Sequence, residues 1–289
     1  MSASATTPNG SCNERTSDDI PRGTVNSTAD FYYPPADGSP AYYYFKTPPP
    51  GVAKTNFTWR AHPITVRDIR GREDEFTLDN SAFQAIRNVP LLETDPSFTD
   101  EQNIKECYYR EVEALVLRHV PGAKRIVIFN HTVRRNTANA HRMPINSIHF
   151  DQTDLGAVNR VRNHLPDEAE TLLKGRYRII NVWRPITGPV LDRPLLFGPG
   201  SLIREEDILV TENYYPDYLG KGAGVMINEG QKWYYWSGMQ TDEVMLLKCT
   251  DSREDVPERK CPHASFNDPR MPKGAKPRES IEVRCLVLG

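Results

Sequence analysis

Ser147-Ile148-His149-Phe150-Asp151 reads as a short extended segment that carries His149 and Asp151 on one side, because side chains alternate along a strand. One imidazole and one carboxylate on a shared face need only a second, remote imidazole to complete a facial set of three ligands. Such a set binds Fe(II) and leaves three neighbouring positions open, enough for a 2-oxo acid and O2. Among the seven histidines of the chain, His149 alone has Asp or Glu two residues later. The remote imidazole is expected from His263, within Cys261-Pro262-His263-Ala264-Ser265-Phe266. Arg278-Glu279-Ser280 begins 15 residues further on, before a terminal apolar strand. A guanidinium with a hydroxyl on the same strand face suits a distal carboxylate, which the planar fork can bind through two hydrogen bonds.

Around these pieces the chain has 289 residues, 38% hydrophobic and 26% charged, which suits one soluble domain. A net charge of −2 gives no reason to expect nucleic acid as a partner. No apolar run approaches the roughly 20 residues of a membrane helix, so no membrane partner is expected. The first residues lack the charged and apolar regions of a secretory signal. Five scattered cysteines with no CxxC pair then read as reduced thiols in a cytoplasmic protein.

Residues 1–30 are polar and poor in apolar side chains, and disorder is expected there. Residues 31–289 are expected to form a single domain whose first part, 31–60, is an aromatic and proline-rich arm. A strand is expected over 64–69, then a short helix starting near Asp79-Asn80-Ser81 and ending about Ile86. Thr99-Asp100-Glu101-Gln102 reads as a capping box for a helix with Ile104, Tyr108, Val112 and Leu115 on its apolar side. A central strand over 124–131 follows, and two helices over 153–165 and 167–174. Strands are expected over 176–184, 190–197, 207–214, 224–227, 232–236, 243–249 and 280–288. Short strands at this spacing, with Pro and Gly turns, argue a mainly β fold with flanking helices: a double-stranded β-helix (jelly-roll).

His149-Phe150-Asp151-Gln152-Thr153 resembles the iron-binding entry motif of the 2-oxoglutarate/Fe(II) oxygenase superfamily. Ile180-Asn181-Val182-Trp183-Arg184-Pro185-Ile186, Trp233-Tyr234-Tyr235, Asp242 to Lys248, Pro262 to Phe266 and Pro277 to Arg284 narrow the likeness. Together they resemble the fungal AsaB-type hydroxylase/desaturase family, with gibberellin desaturase-like and citrinin-pathway members and a distant bacterial cephamycin methoxylation relative. The likeness runs from about Asp68 to the C-terminus. It implies a jelly-roll, iron held by His149, Asp151 and His263, and 2-oxoglutarate as co-substrate held by Arg278 and Ser280. It further implies an O2-dependent enzyme that turns 2-oxoglutarate into succinate and CO2 while hydroxylating or desaturating a small natural product.

Other residues carry competing readings. Trp183 and Arg184 point to opposite faces of one strand, so the pocket receives either Asn181 and Trp183 or Arg184. Arg160 is either a solvated helix residue or part of a lid over the substrate. Arg270 competes with Arg278 as the anion anchor, and His131 and His141 read as hydrogen-bonding surface residues. Two alternatives for the whole chain stay open: a non-catalytic jelly-roll that supports a partner enzyme, and a cupin-type metalloenzyme that does not use 2-oxoglutarate. Jelly-rolls of this size often form homodimers, and no surface feature in the sequence decides the matter.

Overall fold

The computed structural model describes residues 20–289, so the disorder expected over residues 1–19 lies outside the described residues. Among the described residues fourteen strands form two sheets, the jelly-roll anticipated from the strand spacing. The smaller sheet has the order β4-β12-β7-β14-β5, built from β4 (Phe83–Ile86), β12 (Val244–Asp251), β7 (Tyr177–Pro185), β14 (Glu279–Leu288) and β5 (Arg125–Arg135). All its pairings are antiparallel.

Alternation gives each strand of this sheet two faces. On β14, Ile281, Val283, Cys285 and Val287 point outward, and on β7 so do Ile180 and Val182. They pack against α3 (Tyr109–His119) and the turn before it, through Tyr108, Val112 and Val116. Burying side chains such as Val112 and Val116 contributes about 1.5–3 kcal/mol each. The helix starts at α2 (Glu101–Asn103), where Asp100, rather than Thr99, accepts hydrogen bonds from the Gln102 and Asn103 amides. The opposite faces of β7 and β14 turn inward and carry Asn181, Trp183, Ser280, Glu282 and Arg284.

The larger sheet has the order β1-β3-β11-β8-β13-β6-β10-β9-β2. Its first members are β1 (Val25–Tyr33), β3 (Thr58–Asp68), β11 (Trp233–Tyr235) and β8 (Leu195–Phe197). It continues through β13 (His263–Ser265), β6 (His149–Phe150), β10 (Leu219–Val225), β9 (Ile208–Tyr214) and β2 (Ala41–Tyr44). Its outer face is apolar too, with Ile148, Phe150, Ala264 and Leu196 packed against Phe31, Val66 and Trp233. The chain before β6 is tied to β1, since the Ile148 amide donates to the Asp30 carbonyl at 3.0 Å. Facing the smaller sheet there are two apolar clusters. Phe197, Leu195, Trp183 and Met245 belong to one; Ile179, Cys249 and Leu286 belong to the other, under α4 (Asp154–His164) and α5 (Ala169–Leu172). Along β7, Ile179 lies in one cluster and Trp183 in the other, with Asn181 between them.

Several sequence expectations need correction. Residues 25–30 belong to β1, paired with β3, because Val25, Ala29 and Phe31 supply buried side chains that composition alone hid. The helix from Asp79 is the single turn α1 (Leu78–Ser81), ended by Ala82 at φ 61°, and residues 83–86 form an edge strand on β12. Pairing outweighs local propensity here. The strand expected over 190–197 is confined to β8, since Arg193 at φ 47° cannot continue a strand.

Gly224 pairs with His149 across β10 and β6, and a Cβ there would lie 2.3 Å from the Tyr32 ring. Glycine therefore lets Tyr32 lie against the strand next to His149. Gly224→Ala is expected to destabilise by about 1–3 kcal/mol through overpacking. In a Tyr32→Ala background that cost should fall by more than half, as read by a double-mutant cycle of denaturant unfolding; an undiminished cost would contradict the packing account.

Candidate metal centre

His149 on β6 and His263 on β13 are direct partners in the antiparallel ladder, with ring centroids 4.8 Å apart. Directly opposed residues present their side chains on the same face. His149 Nδ1 lies 2.9 Å from the Ser147 carbonyl and His263 Nδ1 lies 3.2 Å from the Cys261 carbonyl. A carbonyl can only accept, so each Nδ1 donates its proton and each Nε2 keeps its lone pair for a metal. Burial holds His263 below the usual imidazole value, against the opposing pull of Asp151, and so favours the neutral ring.

Asp151 follows β6 and divides its two oxygens between different tasks. Oδ1 is 3.3 Å from His149 Nε2 and 3.8 Å from His263 Nε2. Oδ2 accepts from Asn181 Nδ2 at 2.7 Å and from Arg284 Nε at 2.9 Å. Burial opposes charge on Asp151, yet the Arg284 guanidinium outweighs it and holds the carboxyl well below the usual range. One donor atom from each of His149, Asp151 and His263 lies within 4.8 Å of the others. Two neutral nitrogens and one carboxylate oxygen on one side of a centre fit a facial Fe(II) site.

Beside this set is a narrow cleft of about 20 Å³, lined among others by Trp183, Leu195, Arg278, Glu282 and Arg134. Arg278 stands just before β14 and is 3% exposed. Its backbone amide donates to Asp192 Oδ2 at 2.9 Å, and its guanidinium donates to the Arg193 carbonyl at 2.5 Å. Asp192 also accepts from Asn136 Nδ2 at 2.6 Å, so one buried carboxylate fixes the loops on both sides of Arg278. The positive φ at Arg193 is part of the arrangement that aims its carbonyl at Arg278. Arg278 Nε has no partner among the described residues. Burial, and next the charge of Arg134, push the Arg278 guanidinium down to about 9. A buried cation of this kind calls for an anion. Ser280, 1% exposed, lies on the Arg278 face of β14 between Arg134 on β5 and Pro185 on β7.

The structure separates the remaining candidates. Asn181 and Trp183 face the interior; Asn181 holds Asp151, and Trp183 lines the cleft 5.6 Å from Arg278. Arg184 does not face the pocket. It points into the helical layer, donating to the Val89 carbonyl and lying over the Tyr108 ring. Arg160 stays outside the cleft too, stacked 4.7 Å from the Phe129 ring centroid. Arg270 is committed to Asp268, at 2.7 Å, and to Tyr235 and the Arg22 carbonyl, far from any anchoring task. His131 bonds Tyr109 and Glu101.

Arg284, Glu282 and Arg134 were given no role by the sequence reading, although the first two stand on the Arg278 face of a recognised strand. Continuing the alternation past Ser280 brings Glu282 and Arg284 into the site. Arg284 bridges the two carboxylates, bonding Asp151 and forming an ion pair with Glu282.

Comparison with known proteins gives consistent results. A family model described as an oxidoreductase/YMDC permease-like domain matches residues 29–288. Hydroxylase/desaturase poxK of Penicillium oxalicum is 32% identical over 303 residues, covering 93% of this chain and 92% of its own. The Fe(II)/2-oxoglutarate-dependent dioxygenase nvfI of Aspergillus novofumigatus is 34% identical over 265 residues, covering 90% of this chain and 95% of its own. A solved structure of the iron and alpha-ketoglutarate-dependent endoperoxidase NvfI superposes with a TM-score of 0.84 at 32% identity, over 93% of this chain and 99% of that one. Among the described residues no helix is long and apolar enough to cross a membrane.

Asn181→Ala or Arg284→Met frees the outer oxygen of Asp151 while keeping all three ligands. Each is expected to weaken Fe(II) binding by about 10- to 100-fold. Anaerobic equilibrium dialysis of the folded variants measures this, and wild-type affinity in both would contradict the assigned division of the two oxygens.

Proposed function

Because the chain belongs to the fungal AsaB-type hydroxylase/desaturase family of Fe(II)/2-oxoglutarate-dependent oxygenases, we propose that it couples decarboxylation of 2-oxoglutarate to oxidation of a C–H bond. Its substrate is a small secondary metabolite, and the outcome is hydroxylation or desaturation. One observation carries the reading above the others: three lone pairs converge beside a buried guanidinium that has no carboxylate partner among the described residues.

His149, His263 and Asp151 would hold Fe(II) through the two Nε2 atoms and Oδ1. Bound iron supplies the activation of O2, with 2-oxoglutarate as the reductant that leaves as succinate and CO2. The chain's own residues set the geometry. Asn181 and Arg284 hold the outer oxygen of Asp151, so that it would offer a metal one donor oxygen only. Arg278, with the Ser280 hydroxyl on its strand face, would take the distal carboxylate of 2-oxoglutarate through charge-assisted hydrogen bonds. Trp183 and Leu195 line the same cleft and limit water around that ion pair, which strengthens it. A cupin-type enzyme working without 2-oxoglutarate, or a retired binding protein, would have no physical use for a buried and unpaired Arg278 beside an intact ligand set.

Anaerobic addition of Fe(II) and 2-oxoglutarate to metal-free protein tests the reading through the weak visible charge-transfer band of the chelate. Wild type should show the band, His263→Ala should lose it, and Arg278→Ala should need about 10-fold more 2-oxoglutarate or beyond. A folded, iron-loaded wild type without the band would sink the 2-oxoglutarate assignment.

A further inference from the structure

Arg134 is a charged residue of the cleft to which the reading above gives no task. It stands across from Ser280 in the ladder between β5 and β14 and lines the same cleft as Arg278. Its hydrogen bond goes to a neutral acceptor, the Met143 carbonyl, at 3.0 Å. The carboxylates nearby are already taken. Glu279 pairs with Arg135 at 2.7 Å, Asp151 pairs with Arg284 at 2.9 Å, and Glu282 pairs with Arg284. Asp192 accepts from the Arg278 amide and from Asn136. Neither Arg134 nor Arg278 has an ion-pair partner among the described residues.

Arg134 on β5 thus stands opposite one buried serine, and Arg278 stands two residues before the same serine, just ahead of β14. Like charges in a partly desolvated cleft repel, and the charge of Arg134 acts on Arg278 more strongly than any other single charge does. Burial also lowers the Arg134 value, with Glu282 as the strongest compensating charge. An anion between the two cations removes the repulsion, and a full carboxylate has enough acceptor sites for both forks.

We propose that Arg134 is a second guanidinium for the distal carboxylate of the co-substrate, facing Arg278 across Ser280, and that it makes the cleft select a dianionic 2-oxo acid over a monoanionic one of equal length. This rests on the 2-oxoglutarate reading of the site. It gives Arg134 a specificity role distinct from that of Arg278, because it comes from β5 rather than from the loop before β14 and also holds the Met143 carbonyl in the segment leading to His149. An anionic group on the molecule to be oxidised has the same chemistry, and the test separates the two sources.

The test uses the full chain loaded anaerobically with Fe(II), without the oxidised substrate. Chelate formation is titrated with 2-oxoglutarate and with 2-oxopentanoate, which has the same carbon chain without the distal carboxylate. Wild type is compared with Arg134→Met and Arg134→Lys, with iron content and melting temperature measured on each. Arg134→Met is expected to weaken 2-oxoglutarate by about 10- to 100-fold while leaving 2-oxopentanoate within about threefold of wild type. Arg134→Lys, which keeps the charge and loses the fork, should give an intermediate loss for 2-oxoglutarate alone, and it carries the test if the Met variant does not fold. Unchanged 2-oxoglutarate affinity in both variants would overturn the proposal and move Arg134 to the oxidised substrate. Equal weakening of both acids would overturn it as well, by making Arg134 a support of the metal site. A wild type that binds iron yet gives no chelate with either acid strikes at the co-substrate reading itself, whereas a normal wild-type titration with unaltered variants strikes only at Arg134.

Discussion

The site depends on one nearly buried carboxylate whose two oxygens answer to different partners. Asp151 Oδ2 is taken by Asn181 and Arg284, and only Oδ1 is left toward the two imidazoles. An isolated carboxylate in such a place would be costly, and the Arg284 guanidinium compensates it. Arg284 in turn is shared with Glu282, so the charge set reaches along the inner face of β14 to the cleft. The two histidines follow the same logic with neutral partners, since a carbonyl two residues upstream fixes each ring. Ligand geometry is thus written in hydrogen bonds before any metal arrives.

Two strands carry most of that burden. The outward residues of β7 and β14 anchor the smaller sheet to the helical layer, and this fixes which residues turn inward. The same alternation that buries Ile180, Val182, Ile281 and Val283 delivers Asn181, Trp183, Glu282 and Arg284 to the site. Packing and chemistry share a register, so a one-residue slip would exchange them. Arg278 is set by loops rather than strands: Asp192 and the left-handed Arg193 hold it from one side, and Asn136 braces Asp192 from the other.

Much of this was legible in the sequence where chemistry and spacing coincide. His149-x-Asp151 declares its shared face by strand alternation, and the jelly-roll follows from the rhythm of short strands. The choice between Asn181 with Trp183 and Arg184 was not legible, because it depends on which face of β7 meets the helices. Arg184 has a buried partner in the Val89 carbonyl that no local pattern announces. Likewise β1 was hidden in a polar stretch, since Val25 and Ala29 gain meaning only once β3 lies beside them. Arg134 sits 146 residues from its cross-strand partner Ser280, a pairing that sequence spacing cannot express.

The central claim is geometric, and a crystal grown anaerobically with Mn(II) and 2-oxoglutarate addresses it most directly. The account predicts one metal ion held by His149 Nε2, His263 Nε2 and Asp151 Oδ1, with Asp151 Oδ2 still on Asn181 and Arg284. It also predicts the distal carboxylate of 2-oxoglutarate against Arg278. A metal bound elsewhere, both oxygens of Asp151 on the metal, or a 2-oxoglutarate that does not reach Arg278 would contradict it.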